Sequence, residues 1–339
     1  AEQFGFDAQR DMMQAIGNLV RDPGFAAYYA SSDYDREILM PGRSSTPSRP
    51  VRLSVHLNPY GQGRKLLIAR DVTALEQAEA MRRDFVANVS HEIRTPLTVL
   101  TGFIETLQTL ALTGEERSRY LGLMAQQAAR MQTVVRDLLM LSRLEGSPLP
   151  GMSEWTSVES FLTQCEQEAR ALSVLVVGQN AAPQQLHFGV SEPGADMGEI
   201  AGTHHEILSA MSNLVSNAIR YTPAGGTVDV RWQWLPDGRA EFSVQDSGPG
   251  IAPEHLPRLT ERFYRVDRSR SRETGGTGLG LAIVKHVTQR HGAVLRIDST
   301  LGVGSRFAIT FPANRLRDPA GAIAVGVAAT LPVKPALVA

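Results

Sequence analysis

The run Ser90-His91-Glu92-Ile93-Arg94-Thr95-Pro96 sets a nucleophilic imidazole beside a carboxylate. At about 100° per residue on a helix, His91 lies about 200° from Val89, so the ring projects away from the apolar seam and into water. Glu92 can bind and polarise a ring nitrogen, and Thr95, four residues on, shares the face of His91. Alone, a His-Glu pair on a helix is an ordinary solvated pair. A nucleotide site elsewhere in the chain is what turns it into a nucleophile with its base.

Four separated segments have that composition. Asn213 and Asn217 stand four apart on one helical face, neutral oxygen ligands suited to a hard cation such as Mg²⁺, with Arg220 and Tyr221 following. Asp246-Ser247-Gly248-Pro249-Gly250 puts a carboxylate at a strand end, then glycines that let backbone approach a ligand. Glu261-Arg262-Phe263-Tyr264-Arg265 belongs to a stretch, Arg258 to Glu273, in which six arginines face three acids. Positive charge with little apolar content is what a lid over phosphates needs. Gly275-Gly276-Thr277-Gly278-Leu279-Gly280 opens into an amphipathic run, where backbone N–H groups at a helix start form an anion site. Its spacing is neither the dinucleotide fingerprint nor a Walker A loop. Taken singly, each segment has an ordinary reading as a cap, a turn or a solvated loop.

These residues need elements to position them. Phe85, Val89, Ile93, Leu97, Leu100, Ile104, Leu107 and Leu110 mark one long amphipathic helix, and Leu121, Met124, Ala128, Met131, Val135 and Leu138 a second. Between them, Thr113 and Glu116 have the spacing of a capping box. Two helices with one narrow seam each cannot bury themselves as a lone hairpin, which predicts dimerisation into a four-helix bundle. Gly146 to Gly151 reads as a linker. Beyond it, helix-like runs at Val158–Leu172, His204–Arg220 and Gly278–Arg290 alternate with strand-like runs at Leu186–Val190, Thr227–Trp234, Ala240–Gln245, Ala293–Ser299 and Ser305–Phe311. Thr203 is placed to cap the second of these helices. Ahead of the hairpin, a helical stretch at Asp7–Val20, a turn at Asp22-Pro23-Gly24 and strand-like runs at Pro50–Leu57 and Lys65–Asp71, separated by Pro59, Gly61 and Gly63, predict a small α+β segment.

Composition narrows the classes. The chain has 339 residues, 42% hydrophobic and 20% charged, enough for two or three folded domains and against global disorder. A net charge of −1 leaves no basic field to recruit nucleic acid. Cys165 is the lone cysteine, which excludes an intrachain disulfide, and the histidines other than His91 form no zinc-ligand spacing. No run reaches the length of a spanning helix, so the chain as given is expected to be soluble. It starts at Ala1 without methionine or signal pattern, which suggests a cut from something longer.

In order and wording, the motifs resemble the catalytic core of bacterial sensor histidine kinases across roughly residues 75 to 312. Ser90–Pro96 is similar to that family's phosphoacceptor box, Asn213–Tyr221 to its N box, Asp246–Gly250 and Gly276–Gly280 to its two glycine boxes, and Phe263 to its F box. The wording Arg82–Val89, with a hairpin ahead of it, resembles the phosphate-regulon branch in particular. The resemblance implies a multidomain α+β protein. Residues 1–72 would be a partial PAS-like sensing domain, 73–146 a dimerising phosphotransfer hairpin, 147–151 a linker, 152–313 an α/β-sandwich ATP-binding domain of the Bergerat or GHKL type, and 314–339 a flexible tail.

It further implies ATP-dependent autophosphorylation of His91, with Glu92 as general base and Thr95 orienting water for dephosphorylation of the partner. Asn217 would ligate Mg²⁺, supported by Asn213. Arg220 would balance phosphate charge, Tyr221 pack by the adenine, and Asp246 accept its exocyclic amine. Gly248, Gly250, Phe263, Arg265, Gly276, Thr277, Gly278, Leu279 and Gly280 would complete the ATP site. The partners implied are a second copy of the chain and the receiver domain of a separate, PhoB-like response regulator, with no direct nucleic-acid contact. The chain would be the cytoplasmic portion of a protein anchored in the inner membrane by a segment outside this sequence. The glycine boxes also resemble gyrase-, Hsp90- and MutL-type ATPases, so a nucleotide-gated clamp stands as an alternative, as does a signalling protein acting chiefly as a phosphatase.

Overall fold

Alternation in Arg52–Tyr60 builds the first sheet. Leu53, Val55 and Leu57 point to a core formed with Phe4, Val20, Phe25, Tyr28 and Met40. The computed structural model describes residues 4–318 apart from 5, 8, 47–48, 62–63, 178–180, 191–196 and 268–275, and divides the chain into two compact units, residues 1–89 and residues 90 onward.

The first unit holds α1 (Ile16–Leu19), α2 (Pro23–Ser31) and an antiparallel sheet of β1 (Ile38–Pro41), β2 (Arg52–Tyr60) and β3 (Arg64–Asp71), in the order β1-β2-β3. The expected hairpin is β2–β3, and β1 adds a strand the sequence pattern did not signal. Three local expectations need correction. The helix expected over Asp7–Val20 is reduced to four residues, because the Asp7 carboxylate takes the Gln9 and Arg10 amides at 2.8 and 2.9 Å and holds that stretch as a turn. The turn expected at Asp22-Pro23-Gly24 starts α2: Asp22 accepts from the Phe25 amide at 2.9 Å, and Pro23 occupies the first helical position. Pro59, expected between strands, lies inside β2 beyond the end of its pairing with β1, where a missing N–H is tolerated. Gly63 lies outside the described residues.

Helix α3 (Thr73–Thr109) and α4 (Gly114–Gly146) form the hairpin. The capping box at its turn is present: the Thr113 hydroxyl accepts from the Glu116 amide at 3.2 Å, and the Thr113 amide donates to the Glu116 carboxylate at 2.9 Å. Phe103 and Tyr120 meet across it with ring centres 5.5 Å apart and ring planes tilted by 34°. Much of the seam is open within one chain, with Leu97, Ile104, Leu121 and Val135 exposed.

The rest of the second unit is a two-layer sandwich. A five-stranded sheet runs in the order β5 (Gln185–Val190), β7 (Thr227–Trp234), β8 (Ala240–Asp246), β10 (Gly304–Phe311), β9 (Val294–Thr300), with only β5–β7 parallel. Helices α5 (Val158–Val177), α6 (His204–Tyr221) and α7 (Gly280–Arg290) supply the other layer. Val228, Val230 and Trp232 of β7 and Phe242 and Val244 of β8 meet Ile207, Met211, Leu214 and Ile219 of α6 in one core that also takes in Leu141 and Leu144 of α4. Each such fully buried side chain contributes roughly 1.5–3 kcal/mol of burial free energy. The stripe on α6 leaves Asn213, Asn217 and Arg220 on its other side.

The α6 helix starts without a side-chain cap from Thr203, contrary to expectation. A second, small sheet in the order β11 (Leu316–Arg317), β6 (Glu199–Ala201), β4 (Trp155–Ser157) was not foreseen. It corrects the tail expected from Asn314. The chain there makes a tight helical turn at Ala313–Arg315 and then pairs with β6, Leu316 being fully buried. The remainder of that tail, from residue 319, lies outside the described residues.

Two arginines fasten the linker. Arg290 donates to the Leu144, Ser147 and Pro148 carbonyls at 2.8, 2.9 and 2.8 Å and pairs with Glu206 at 3.0 Å. Arg315 donates to the Gly151, Ala201 and Pro150 carbonyls at 3.2, 3.1 and 3.0 Å.

Candidate active site

The sandwich encloses a cavity of about 360 Å³, a size common for small-ligand sites, and the sequence-predicted residues converge on it. From α6 come Asn213, Asn217, Arg220 and Tyr221; from the end of β8 and its loop, Asp246 and Gly250; from the later loops, Arg265 and Gly276, Thr277, Gly278 and Gly280. Three expected residues stand behind the wall. Gly248 donates its amide to Asp246 Oδ1 at 2.8 Å, Phe263 donates its amide to the Gly278 carbonyl at 2.8 Å, and Leu279 is fully buried.

The local geometry explains the residue types. Asp246 closes β8 with its carboxylate 7% exposed, and Oδ1 also accepts from the Ser305 amide at 3.3 Å. Burial pushes its pKa above the ordinary carboxylate value, and the two amides pull the other way. Gly250 has φ of 69°, and a side chain there would meet the Thr300 carbonyl, so the turn after Asp246 admits glycine. Asn213 donates Nδ2 to the Ser209 carbonyl at 2.8 Å, one helical turn back, which turns its Oδ1 toward α7. A Cβ on Gly280 would lie 2.5 Å from that oxygen, so a side chain at the first residue of α7 would displace the Asn213 amide. The α7 start at Leu279 has no side-chain cap. Phe263 takes φ of 61°, rare for an aromatic residue, and its amide contact to Gly278 ties the F box to the second glycine box.

Among the described residues no cluster of three or more His, Cys, Asp or Glu side chains is placed to hold a metal. The wall's carboxylates, Asp137 and Asp246 among them, do not converge as a metal cluster, and the ligand candidates named from the sequence are the Asn213 and Asn217 amide oxygens. Such a sparse set fits Mg²⁺, which keeps waters and phosphate oxygens around it and needs few protein ligands.

His91, Glu92 and Thr95 lie on α3, outside the cavity wall. His91 is exposed, and the Thr95 hydroxyl donates to the His91 carbonyl at 3.1 Å. Pro96, one residue further, is the proline inside α3 and cannot donate back to the Glu92 carbonyl. Glu92 departs from expectation in this arrangement: its carboxylate is engaged by Arg130 of α4 at 2.9 Å and by Arg265 at 3.5 Å rather than by the His91 ring. The Arg265 side chain, 8% exposed, also donates to the Gly276 carbonyl, so it spans from α3 to the glycine-rich loop. The portion of the expected lid that is described is accordingly held in place, and residues 268–273 lie outside the described residues.

Sequence reasoning missed two wall residues from the hairpin, Thr133 and Asp137. Asp137 Oδ2 accepts from the Thr277 hydroxyl at 2.6 Å. Burial raises its pKa, against the pull of that bond and of Arg136 and Arg220. Neither residue stands in a motif, since each sits in an unremarkable helical repeat of α4.

Residues 202–315 match the family of histidine kinase-, DNA gyrase B- and HSP90-like ATPases, and residues 81–147 match the His kinase A (phospho-acceptor) domain. The phosphate regulon sensor protein PhoR of Pseudomonas aeruginosa is 45% identical over 309 residues, 91% of this chain and 67% of its own length. The chain belongs to the sensor histidine kinases. The PhoR of Haemophilus influenzae is 33% identical over 311 residues, 92% of this chain and 69% of that one. The solved structure of the histidine kinase ThkA in complex with response regulator protein TrrA shares the fold, with a TM-score of 0.52 at 18% identity over 92% of this chain and 89% of the other. As a sensor histidine kinase the protein is a protein-histidine kinase, and its ATPase-type domain takes ATP with Mg²⁺. No described helix is long and apolar enough to cross a membrane.

Proposed function

We propose that the chain phosphorylates itself on His91 and passes the phosphoryl group to an aspartate on the receiver domain of a separate response regulator. The observation that carries this reading is a cavity whose wall collects the asparagine pair, Asp246 and the second glycine box together, in one unit with a hairpin that leaves His91 exposed. A ring nitrogen of His91 attacks the γ-phosphorus of ATP, the bond from that phosphorus to the β–γ bridging oxygen breaks, and ADP leaves. The proton on the other ring nitrogen passes to Glu92, after Glu92 exchanges its arginine partners for the imidazole.

Asn217, with Asn213 beside it, is assigned to hold Mg²⁺, which supplies charge neutralisation at the phosphates. Arg220 and Arg265 add positive charge there. Asp246 accepts the adenine amine, Tyr221 packs beside the ring, and Gly248, Gly250, Phe263, Gly276, Thr277, Gly278, Leu279 and Gly280 shape the loops around the nucleotide. Thr95 orients the water that dephosphorylates the partner.

The open seam of the hairpin supports a homodimer closed as a four-helix bundle. The two PhoR relatives support a PhoB-like regulator and a role in phosphate-starvation signalling. On the same resemblance, residues 1–72 are assigned to a partial PAS-like sensing domain, and the chain to the cytoplasmic portion of an inner-membrane protein. The test is incubation with Mg²⁺ and γ-labelled ATP, wild type beside His91→Ala and Asn217→Ala. Acid-labile, alkali-stable label is expected in wild type alone, and label persisting in His91→Ala would sink the assignment. The Glu92–Arg130 pair favours a second reading, a resting state that acts mainly as phosphatase. That state would strip phosphate from the regulator while labelling itself weakly.

A further inference from the structure

The described arrangement puts a hairpin carboxylate where the nucleotide site calls for an anion of its own. Asp137 of α4 accepts from Thr277 at 2.6 Å, and the same hydroxyl accepts from the Leu279 amide at 3.2 Å. The chain of bonds therefore runs from a negative side chain into the start of α7, the glycine-box turn at which free N–H groups and the helix dipole favour negative charge. Asp137 lines the cavity beside Asn217 and Arg220, the groups assigned to Mg²⁺ and phosphate. Thr277 is 6% exposed, so its hydroxyl sits in a site with little water to screen the pair.

We infer that Asp137 is a gate on the nucleotide site: docking of α4 against the second glycine box and entry of the nucleotide's phosphates compete for the same electropositive turn. The inference rests on the ATP site proposed above. With α4 docked, the carboxylate repels phosphate charge and engages Thr277. When phosphates enter, Thr277 and the α7 start turn to them, and this contact of α4 is released. Nucleotide charge is thereby converted into freedom of the hairpin relative to the glycine box. Arg265 makes a second link from the hairpin to the same loop, because it joins Glu92 of α3 to the Gly276 carbonyl.

The test measures binding of adenosine, AMP, ADP with Mg²⁺ and ATP with Mg²⁺ to the full chain, in wild type, Asp137→Asn and Glu115→Gln. The last removes an exposed charge from the first turn of α4. In Asp137→Asn the affinity for ATP is expected to rise about tenfold, the scale of one like-charge contact removed at a partly buried site. The gain should be smaller for ADP and AMP and absent for adenosine, and Glu115→Gln should leave the ladder unchanged. A ladder identical in wild type and Asp137→Asn, or a loss shared equally by all four ligands, would overturn the gate while leaving the ATP site intact. Failure of wild type to bind any of them would instead overturn the ATP site. Hydrogen exchange of wild type gives a second reading that needs no variant: ATP with Mg²⁺ should speed amide exchange in α4 around Asp137, adenosine should not, and protection by ATP would overturn the gate.

Discussion

Replacing Arg290 by alanine removes five hydrogen bonds at once. Two join it to Glu206 at 3.0 and 3.1 Å, and three hold the carbonyls of Leu144, Ser147 and Pro148. The side chains of the ion pair are 9% and 7% exposed, so alanine strands a carboxylate in the interior. A second basic group near it, His291 Nδ1 at 4.0 Å, is bonded to the Val287 carbonyl, and burial pushes the pKa of that imidazole down. Stranding a buried charge costs about 3–5 kcal/mol, whereas an exposed pair is worth about 0.2–1 kcal/mol. The Ser147 and Pro148 carbonyls sit at exposed positions where water replaces the guanidinium, so they add little. At a urea m-value of about 2 kcal/mol/M, the unfolding midpoint of Arg290→Ala should fall by about 2 M. The assay is tryptophan fluorescence, since Trp155, Trp232 and Trp234 all lie in the second unit and report on it alone. Adding Glu206→Gln to Arg290→Ala should restore part of the loss by neutralising the stranded group. A midpoint shift under about 0.5 M, or a double variant no more stable than the single one, would refute the reasoning.

Two further outcomes follow from named atoms. Gly250→Ala forces a left-handed φ on a side chain and sets its Cβ 2.1 Å from the Thr300 carbonyl at the end of β9, so unfolding should become easier by more than about 2 kcal/mol and fluorescent-nucleotide binding should weaken together with it. Wild-type stability and affinity in that variant would contradict the glycine argument. His291 is fully buried, and burial holds its pKa below 6.5, against the raising effects of Val287 and Glu206 and alongside the lowering effects of Arg315 and Arg290. Below pH 6.5 the unfolded chain takes up a proton that the folded chain resists, so this contribution to stability is present above 6.5 and is lost as pH falls toward the folded value. His286 is lowered too and acts with the same sign, so urea unfolding at about pH 7.5 and about pH 5.5 should show a shallower but still positive slope in His291→Gln. An unchanged slope would show that His291 is not the group responsible.

The strands of the large sheet were legible because their alternation is local: Thr227–Trp234 appears in the structure with the same bounds read from the sequence. The capping box at Thr113 was legible for the same reason, being contained in four residues. The small sheet was not, since its strands are two or three residues long and too short for a period to show. The motif residues of the site could be named singly, because each motif is written in consecutive letters. What joins Glu92 to Arg130, or Asp137 to Thr277, is a contact across 38 or 140 positions, and spacing along the chain carries no trace of it. The Asp7 and Asp22 readings failed one step earlier, at side-chain oxygens that compete for backbone amides and move a helix start by many residues.

Arg290 and Arg315 grip the linker by its carbonyls, and every residue type supplies a carbonyl. The side chains of Ser147, Pro148 and Leu149 are exposed and take no part in the grip. The clamp is therefore blind to the letters of the linker and strict about their number. One inserted residue displaces the following carbonyls by as much as about 3.5 Å, more than the length of the bonds they make. A foreign helical hairpin spliced onto this catalytic half should thus keep its seating whatever the joining sequence, so long as the residue count between the end of the helix and Gly151 is kept. In this joint, interchangeability of parts is governed by length.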